Sequence, residues 1–202
     1  MIRLGIFGGT FAPFHLGHKT ALEAFLRKDI TDRCLVIPSG IPPHKTKTAL
    51  FTDAQRLEMC RIACEDLPGT QVCDREIQVG GTSYTVNTLE WVIHTQHNVL
   101  PVLYVGSDML LTLQDWHRPQ DIFRYAEIAA FSRTGTDLDA LVAHKRWLEQ
   151  NFEGVRCTVY PAPPFPVSST EIRGKWERGE DISSLVPPSV NEYLLRLRKE
   201  QL

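Results

Sequence analysis

The sequence predicts an α/β protein built on an open, mainly parallel Rossmann-like sheet with helices on both faces. Three observations predict it. Short apolar runs alternate along the chain with segments of helical periodicity, the order that yields a parallel sheet. Runs such as Cys34-Leu35-Val36-Ile37 are apolar throughout, as in strands covered on both sides. The first strand leads through a glycine-containing loop directly into a helix, the start of a βαβ crossover.

Ile2, Leu4 and Ile6 alternate with Arg3 and Gly5 and define that strand. Beyond the loop, His18, Ala21, Leu22, Phe25 and Leu26 share one helical face, while Lys19, Glu23 and Arg27 form an i, i+4 charged row on another. Between them lie Gly8, Gly9, Thr10 and Phe11, then His15 and His18 at the helix start. Glycines let backbone N–H groups approach an anion, and a helix N-terminus adds partial positive charge, so the expected ligand is a phosphate chain. A strand, two glycines and a helix are also ordinary α/β punctuation. A single histidine is more often structural than catalytic. Two of them, three residues apart around Gly17 at such a helix start, weigh against both plain readings. A metal pair lacks a third ligand at suitable spacing, so no metal site is predicted in the chain.

The second strand ends at Pro38-Ser39-Gly40. No Asp or Glu stands there to bind ribose hydroxyls, and the first loop is not Gly-x-Gly-x-x-Gly, which argues against a dehydrogenase. There is no P-loop either. Ile41-Pro42-Pro43-His44-Lys45-Thr46-Lys47 reads as a solvated loop or as a basic arm closing on a phosphate. Thr52 and Gln55 make a capping box for a helix with Leu57, Cys60, Cys64 and Leu67 inward. Residues 72–79 are expected to be a strand or extended. Gly80 to Thr85 is a polar loop opening a helix that buries Val86, Leu89 and Ile93.

Leu100 to Val105 is a further strand running into Gly106-Ser107-Asp108, at the carboxyl end where open sheets bind ligands. Trp116, flanked by Asp115, His117 and Arg118, suits a pocket edge as well as a core. Glu127 to Phe131 is a strand that ends in Ser132-Arg133. Leu138 to Phe152 is helical, with Leu141, Lys145 and Leu148 on one side. Val155 to Tyr160 is the last strand, stopped by Pro161, Pro163, Pro164 and Pro166. Ser168 and Glu171 make a second capping box, and Gly179 ends its helix. A final helix begins near Pro188 with Val190, Tyr193, Leu194 and Leu197 inward.

At 202 residues the chain is expected to form one domain, 1–202, with the helical region from about 168 to 202 packed on it. A hydrophobic content of 43% and a charged content of 23% are those of a soluble globular protein. The net charge of −2 leaves no basic footprint for nucleic acid. No apolar run approaches the roughly 20 residues that span a bilayer, and no signal peptide is visible, so neither nucleic acid nor membrane is an expected partner. The five cysteines include no Cys-x-x-Cys pair and read as reduced thiols in a cytoplasmic protein. Nothing in the sequence speaks to oligomeric state.

The string from Gly8 to His18 resembles the nucleotidyltransferase α/β-phosphodiesterase superfamily, whose His-x-Gly-His signature is specific. Ser168-Ser169-Thr170-Glu171-Ile172-Arg173 is similar to its second signature. Pro42-Pro43-His44-Lys45, Ser83-Tyr84-Thr85 and Gly106-Ser107-Asp108 followed by Trp116 resemble the nicotinate mononucleotide adenylyltransferase branch. The resemblance runs from the first strand to the C-terminal helices, with the motifs in matching order. The family usually has an Asp at the position of Ala12 and often one at Asn87. The first change removes a carboxylate from the phosphate loop.

The resemblance implies adenylyl transfer from ATP to nicotinate mononucleotide, giving deamido-NAD and pyrophosphate in NAD biosynthesis. It implies His15, His18, Lys45 and Arg173 as catalytic residues. ATP would meet Gly8, Gly9, Thr10, Phe11, His18, Gly106, Asp108, Arg133, Ser168, Ser169 and Arg173. The mononucleotide would meet Lys45, Tyr84, Thr85, Trp116 and His117, its ring stacked on the tryptophan and its carboxylate received by amides near Thr85 and His117. Mg²⁺ would arrive on the ATP phosphates. A sister enzyme acting on nicotinamide mononucleotide or phosphopantetheine, and a nucleotide sensor without turnover, are the alternatives. Ala12 is the only residue that favours the sensor.

Overall fold

The computed structural model describes residues 1–27, 29–41, 50–132, 137–161 and 168–200. Its six strands form one parallel sheet in the order β3-β2-β1-β4-β5-β6. These are β1 (Ile2–Gly9), β2 (Arg33–Pro38), β3 (Thr70–Val72), β4 (Val99–Gly106), β5 (Glu127–Phe131) and β6 (Cys157–Tyr160). The chain builds outward from β1 through β2 to β3. It then returns to place β4 on the other side of β1 and builds outward again. The order therefore reverses between β1 and β4, and at such a switch point the loops at the strands' carboxyl ends diverge and leave a crevice.

Alternation along the strands divides the core into two layers. Phe7 and Val36 face one side, where α1 (Leu16–Phe25), α2 (Asp53–Cys64), α8 (Ser169–Glu177) and α9 (Pro188–Glu200) contribute Phe25, Met59, Ile172 and Leu194. Ile6 and Ile37 face the other, against Leu89 of α4 (Thr85–Thr95), Phe123 of α6 (Pro119–Tyr125) and Leu148 of α7 (Leu138–Asn151). Both sheet faces are thus covered, which is why the strands read as continuous apolar runs. The thiols of Cys34, Cys60, Cys64 and Cys157 lie in these layers. Burial pushes Cys64 up to about 11 and Cys157 up to about 12.

Several expectations change in detail. Residues 72–79 are not one strand: β3 stops at Val72, and Arg75–Val79 form the short helix α3. β3 is an edge strand that pairs with β2, and its pairing ends with the bond from the Cys73 N–H to the Val36 carbonyl at 2.9 Å, after which local β-propensity gives way to context. In α2 the inward face carries Arg56 and Met59, while Leu57 is only half-buried. In α4 Val92 turns inward and Ile93 is exposed. Lys19 reaches off the helix to pair with Asp66 at 2.6 Å, and Arg27, past the end of α1, pairs with Asp29 at 2.9 Å. The Thr52–Gln55 capping box forms in both directions. At Ser168 the described bond is the one from the Glu171 N–H to the serine hydroxyl. No described helix is long and apolar enough to cross a membrane.

Gly5 shows how closely α1 sits on the sheet. A Cβ there would lie 2.8 Å from the Phe25 ring and 3.1 Å from both Cys34 Sγ and Thr31 Cγ2. Gly5→Ala should therefore cost about 1–3 kcal/mol, the usual range for overpacking. A thermal melt should register this as a fall of about 2–4 °C per kcal/mol. An unchanged melting temperature would mean that α1 can shift outward freely.

Candidate functional site

The N-terminus of α1 is closed by its two histidines. His15 is the N-cap residue, with extended backbone angles, and its Nδ1 accepts the backbone N–H of His18 at 3.3 Å. In return, Nδ1 of His18 accepts the backbone N–H of His15 at 3.2 Å. The rings stack with centroids 3.6 Å apart. This is a capping box made of imidazoles in place of the usual hydroxyl and carboxylate. Because both Nδ1 atoms accept, the proton of each neutral ring is on Nε2, and each ring has an Nε2–H donor.

Phe11 supports the pair. Phe11 is 1% exposed and packs between Phe7 and Phe14, with its ring nearly perpendicular to that of His18 at a centroid distance of 5.0 Å. Phe11 also takes a left-handed backbone, at φ 48°, which turns the chain sharply after β1. Phe11 borders the crevice, and its ring reaches into the core to prop His18. Ala12 lies in the same apolar layer, 1% exposed, and borders neither cleft described below. The methyl in place of the usual Asp is a core contact.

Two clefts open at the carboxyl ends of β1 and β4. The first, of about 520 Å³, is bordered by Gly8, Gly9, Thr10, Phe11, His15 and His18 on the β1 side. Gly106 at the end of β4 and Asp108 of α5 (Ser107–Leu110) close it from one side, and Ser168, Ser169 and Arg173 at the start of α8 from another. The Arg173 guanidinium donates to the Ala12 carbonyl at 3.0 Å and to the Thr170 hydroxyl at 2.9 Å, so it ties the second signature to the first. Ser132 Oγ at the end of β5 is buried there with no hydrogen-bond partner among the described residues.

The second cleft, of about 710 Å³, is bordered by Tyr84, Thr85, Trp116 and His117. The Tyr84 and His117 rings pack with centroids 4.4 Å apart and planes tilted by 37°. Trp116 is half-buried and rests against the second core layer. The α4 helix opens on Tyr84 with no side-chain cap, which leaves its first N–H groups as donors at the cleft. The clefts share Gly8, Gly9, Thr10, Tyr104, Asp108 and Met109. They are two arms of one crevice, joined over the end of β1.

Of the site residues expected from sequence, Lys45 and Arg133 lie outside the described residues. The others come together on this crevice. Sequence reasoning missed Arg56 and Glu76. Arg56 is 3% exposed, and its guanidinium donates to the carbonyls of Thr10 at 2.7 Å and Ser39 at 2.6 Å and to Asp53 at 3.0 Å. It fixes the exits of β1 and β2 from below. An arginine on the inward face of an otherwise apolar α2 stripe was the available signal. Glu76, carried by α3, borders the second cleft. Burial raises its carboxyl pKa, and hydrogen bonds from Thr88 and Ser83 pull the other way.

Residues 6–175 match the cytidylyltransferase-like family model. The chain is 34% identical over 187 residues to a protein of Clostridium tetani named "probable nicotinate-nucleotide adenylyltransferase", covering 93% of each. It is 34% identical over 215 residues to a protein of the same name from Shewanella baltica, covering 98% of each. The nicotinic acid mononucleotide adenylyltransferase of Plasmodium falciparum, solved with NaAD, superposes with a TM-score of 0.78 at 16% identity, covering 98% of this chain and 96% of that one. That likeness extends to the whole of the fold. A specific first signature, a crevice at the β1–β4 reversal and relatives matched end to end lead to one assignment: the chain belongs to the cytidylyltransferase-like family, among the nicotinate-nucleotide adenylyltransferases.

Proposed function

We propose that this protein transfers the adenylyl group of ATP to nicotinate mononucleotide, releasing pyrophosphate and forming deamido-NAD. The observation that carries the reading is the joined pair of clefts. One is lined by histidines and helix N-termini suited to phosphates, the other by aromatic rings suited to a pyridine, and they meet over Gly8–Thr10. ATP takes the first arm and the mononucleotide the second. The mononucleotide's 5′-phosphate then faces the α-phosphorus at the junction and attacks it in line, with pyrophosphate leaving on the opposite side. No protein nucleophile is required. The chain contributes positioning and offsets developing charge.

In this reading His15 and His18 donate from Nε2–H to phosphate oxygens near the reacting centre. Their Nδ1 bonds to backbone keep the donors aimed before substrate arrives. Arg173, the Ser168–Ser169 start of α8 and the Thr10 loop take the outer phosphates. Asp108, common to both arms, suits ribose hydroxyls. Lys45 and Arg133 are assigned to phosphate and to ATP from sequence alone. Mg²⁺, carried on ATP, would supply further charge neutralisation. Such an ion would be held mainly by phosphate oxygens and water. Reduced, buried thiols suit a cytoplasmic setting.

His18→Ala should lower kcat by about 100- to 1,000-fold, the effect of deleting one preorganised donor to transition-state charge. The KM for the mononucleotide should change little, because the lost contact strengthens mainly as charge moves. Wild-type turnover in a folded variant would remove His18 from the mechanism.

Gly8 separates ligand space from protein space. A Cβ added there meets no described atom within 4 Å, yet the residue borders both arms. Gly8→Ala should melt like the wild type while kcat/KM falls by about 100-fold, since a methyl at the junction displaces the reacting groups. Undiminished activity would place the phosphates elsewhere.

Substrate choice tests the second arm. Backbone N–H groups only donate, so an uncapped helix start suits the two acceptor oxygens of a carboxylate. An amide would turn its own NH₂ against one of those donors. A clear preference for the acid over the amide mononucleotide in kcat/KM is expected. Trp116→Ala should weaken use of either mononucleotide and leave the KM for ATP nearly unchanged. Equal kcat/KM for acid and amide would overturn the pocket assignment.

A further inference from the structure

A knot of hydrogen bonds lies in the wall of the mononucleotide arm, where Glu76, Ser83 and Thr88 border the cleft. Thr88 Oγ1 donates to Glu76 Oε1 at 2.6 Å, and the Ser83 hydroxyl lies near enough to the same carboxylate to help hold its pKa down. Ser83 Oγ in turn accepts the Gly40 N–H at 2.9 Å. The Ser83 N–H donates to the Ile41 carbonyl at 2.8 Å, and the Ile41 N–H to the Gly81 carbonyl at 3.2 Å. Gly40 is packed so closely into this knot that a Cβ would lie 2.8 Å from the Glu76 carbonyl oxygen. Ser83 and Thr88 flank Tyr84 and Thr85, the residues that open α4 and border the cleft. One carboxylate thus binds Thr88 and has Ser83 beside it, on the two sides of the helix start.

We propose that Glu76 is a positioning residue for the mononucleotide arm, setting the place of the Tyr84–Thr85 helix start through Ser83 and Thr88. The inference rests on the reading that this arm takes a pyridine mononucleotide. Glu76 acts through Thr88, which it binds, and through the neighbouring Ser83, so its loss lets the opening turn of α4 drift and blurs the donors that receive the ring carboxylate. The ATP arm is bordered by β1, α1, β4, α5, β5 and α8 and by no residue of α3 or the 80–85 segment. Its affinity is therefore independent of Glu76.

Steady-state kinetics with ATP and nicotinate mononucleotide test this in Glu76→Ala, Glu76→Gln, Thr88→Val and the Glu76→Ala/Thr88→Val double variant. Glu76→Ala should raise the KM for the mononucleotide about tenfold or more, on the scale of a small misplacement of binding groups. The KM for ATP should stay within about twofold and kcat within about threefold. Glu76→Gln keeps an acceptor for Thr88 but turns an NH₂ toward Ser83, so it should fall between the wild type and Glu76→Ala. Thr88→Val, nearly isosteric, should raise the mononucleotide KM alone. The double variant should be no worse than Glu76→Ala, because both changes cut one linkage.

Parallel rises in both KM values, a wild-type KM in Thr88→Val, or multiplying effects in the double variant would each overturn the proposal. If Glu76→Ala does not fold, Glu76→Gln and Thr88→Val decide the matter. A wild-type protein that makes no dinucleotide from ATP and nicotinate mononucleotide would defeat the functional reading itself. An active wild type with an unsplit Glu76 phenotype would defeat only this inference.

Discussion

The reciprocal bonds between His15 and His18 are the constraint on which the rest of the site depends. A helix N-terminus has N–H groups that need acceptors, and here the acceptors are the two side chains that also face the crevice. Satisfying the backbone and aiming the imidazoles are one event. The rings cannot swing away without exposing two N–H groups, and the helix cannot begin elsewhere without scattering the rings. Phe11 and Phe14 brace the pair from the core side, and Arg173 holds the loop between them and β1 through the Ala12 carbonyl. Preorganisation at the phosphates is thus paid for by helix capping and core packing.

The main lines of this arrangement were legible in the sequence. The alternation of apolar runs and helical periods carries the parallel sheet. The histidine spacing places both rings at one helix start because an N-cap and the third helical residue face each other. The serine-threonine string before Arg173 likewise marks the start of α8. Local chemistry of this kind is written in neighbouring residues. What escaped was set by tertiary contacts. Residues 75–79 have the β-branched and polar mixture of a strand, but the edge of the sheet ends before them. Glu76 is ordinary in sequence and stands out only because α3 folds to bring it against Thr88. Arg56 sits in a helix whose period called for an apolar residue, and its two carbonyl partners are 17 and 46 residues away in the chain.

Ala12 shows the opposite case, in which sequence comparison draws attention to a position that structure makes quiet. Its methyl belongs to the apolar layer with Phe7 and Phe14, and only its carbonyl reaches toward the site, as the acceptor for Arg173. A departure from a signature is therefore to be weighed by where the side chain points. The same test applied to Gly8 gives the reverse answer, since its missing side chain points into open space shared by both arms.

The two arms share little more than a strip of backbone at the end of β1 and three residues from the end of β4 and the start of α5. The walls beyond that strip come from separate stretches: α1 and α8 on one side, and the 80–85 segment and the turn around Trp116 on the other. Such a division makes the acceptor side exchangeable. A lineage could remodel the second wall to receive a different phosphorylated acceptor while the nucleotide wall, and the chemistry at the junction, stayed as they were. The crevice at the sheet's reversal thus behaves as a socket and a fitting, and inheritance can vary the fitting alone.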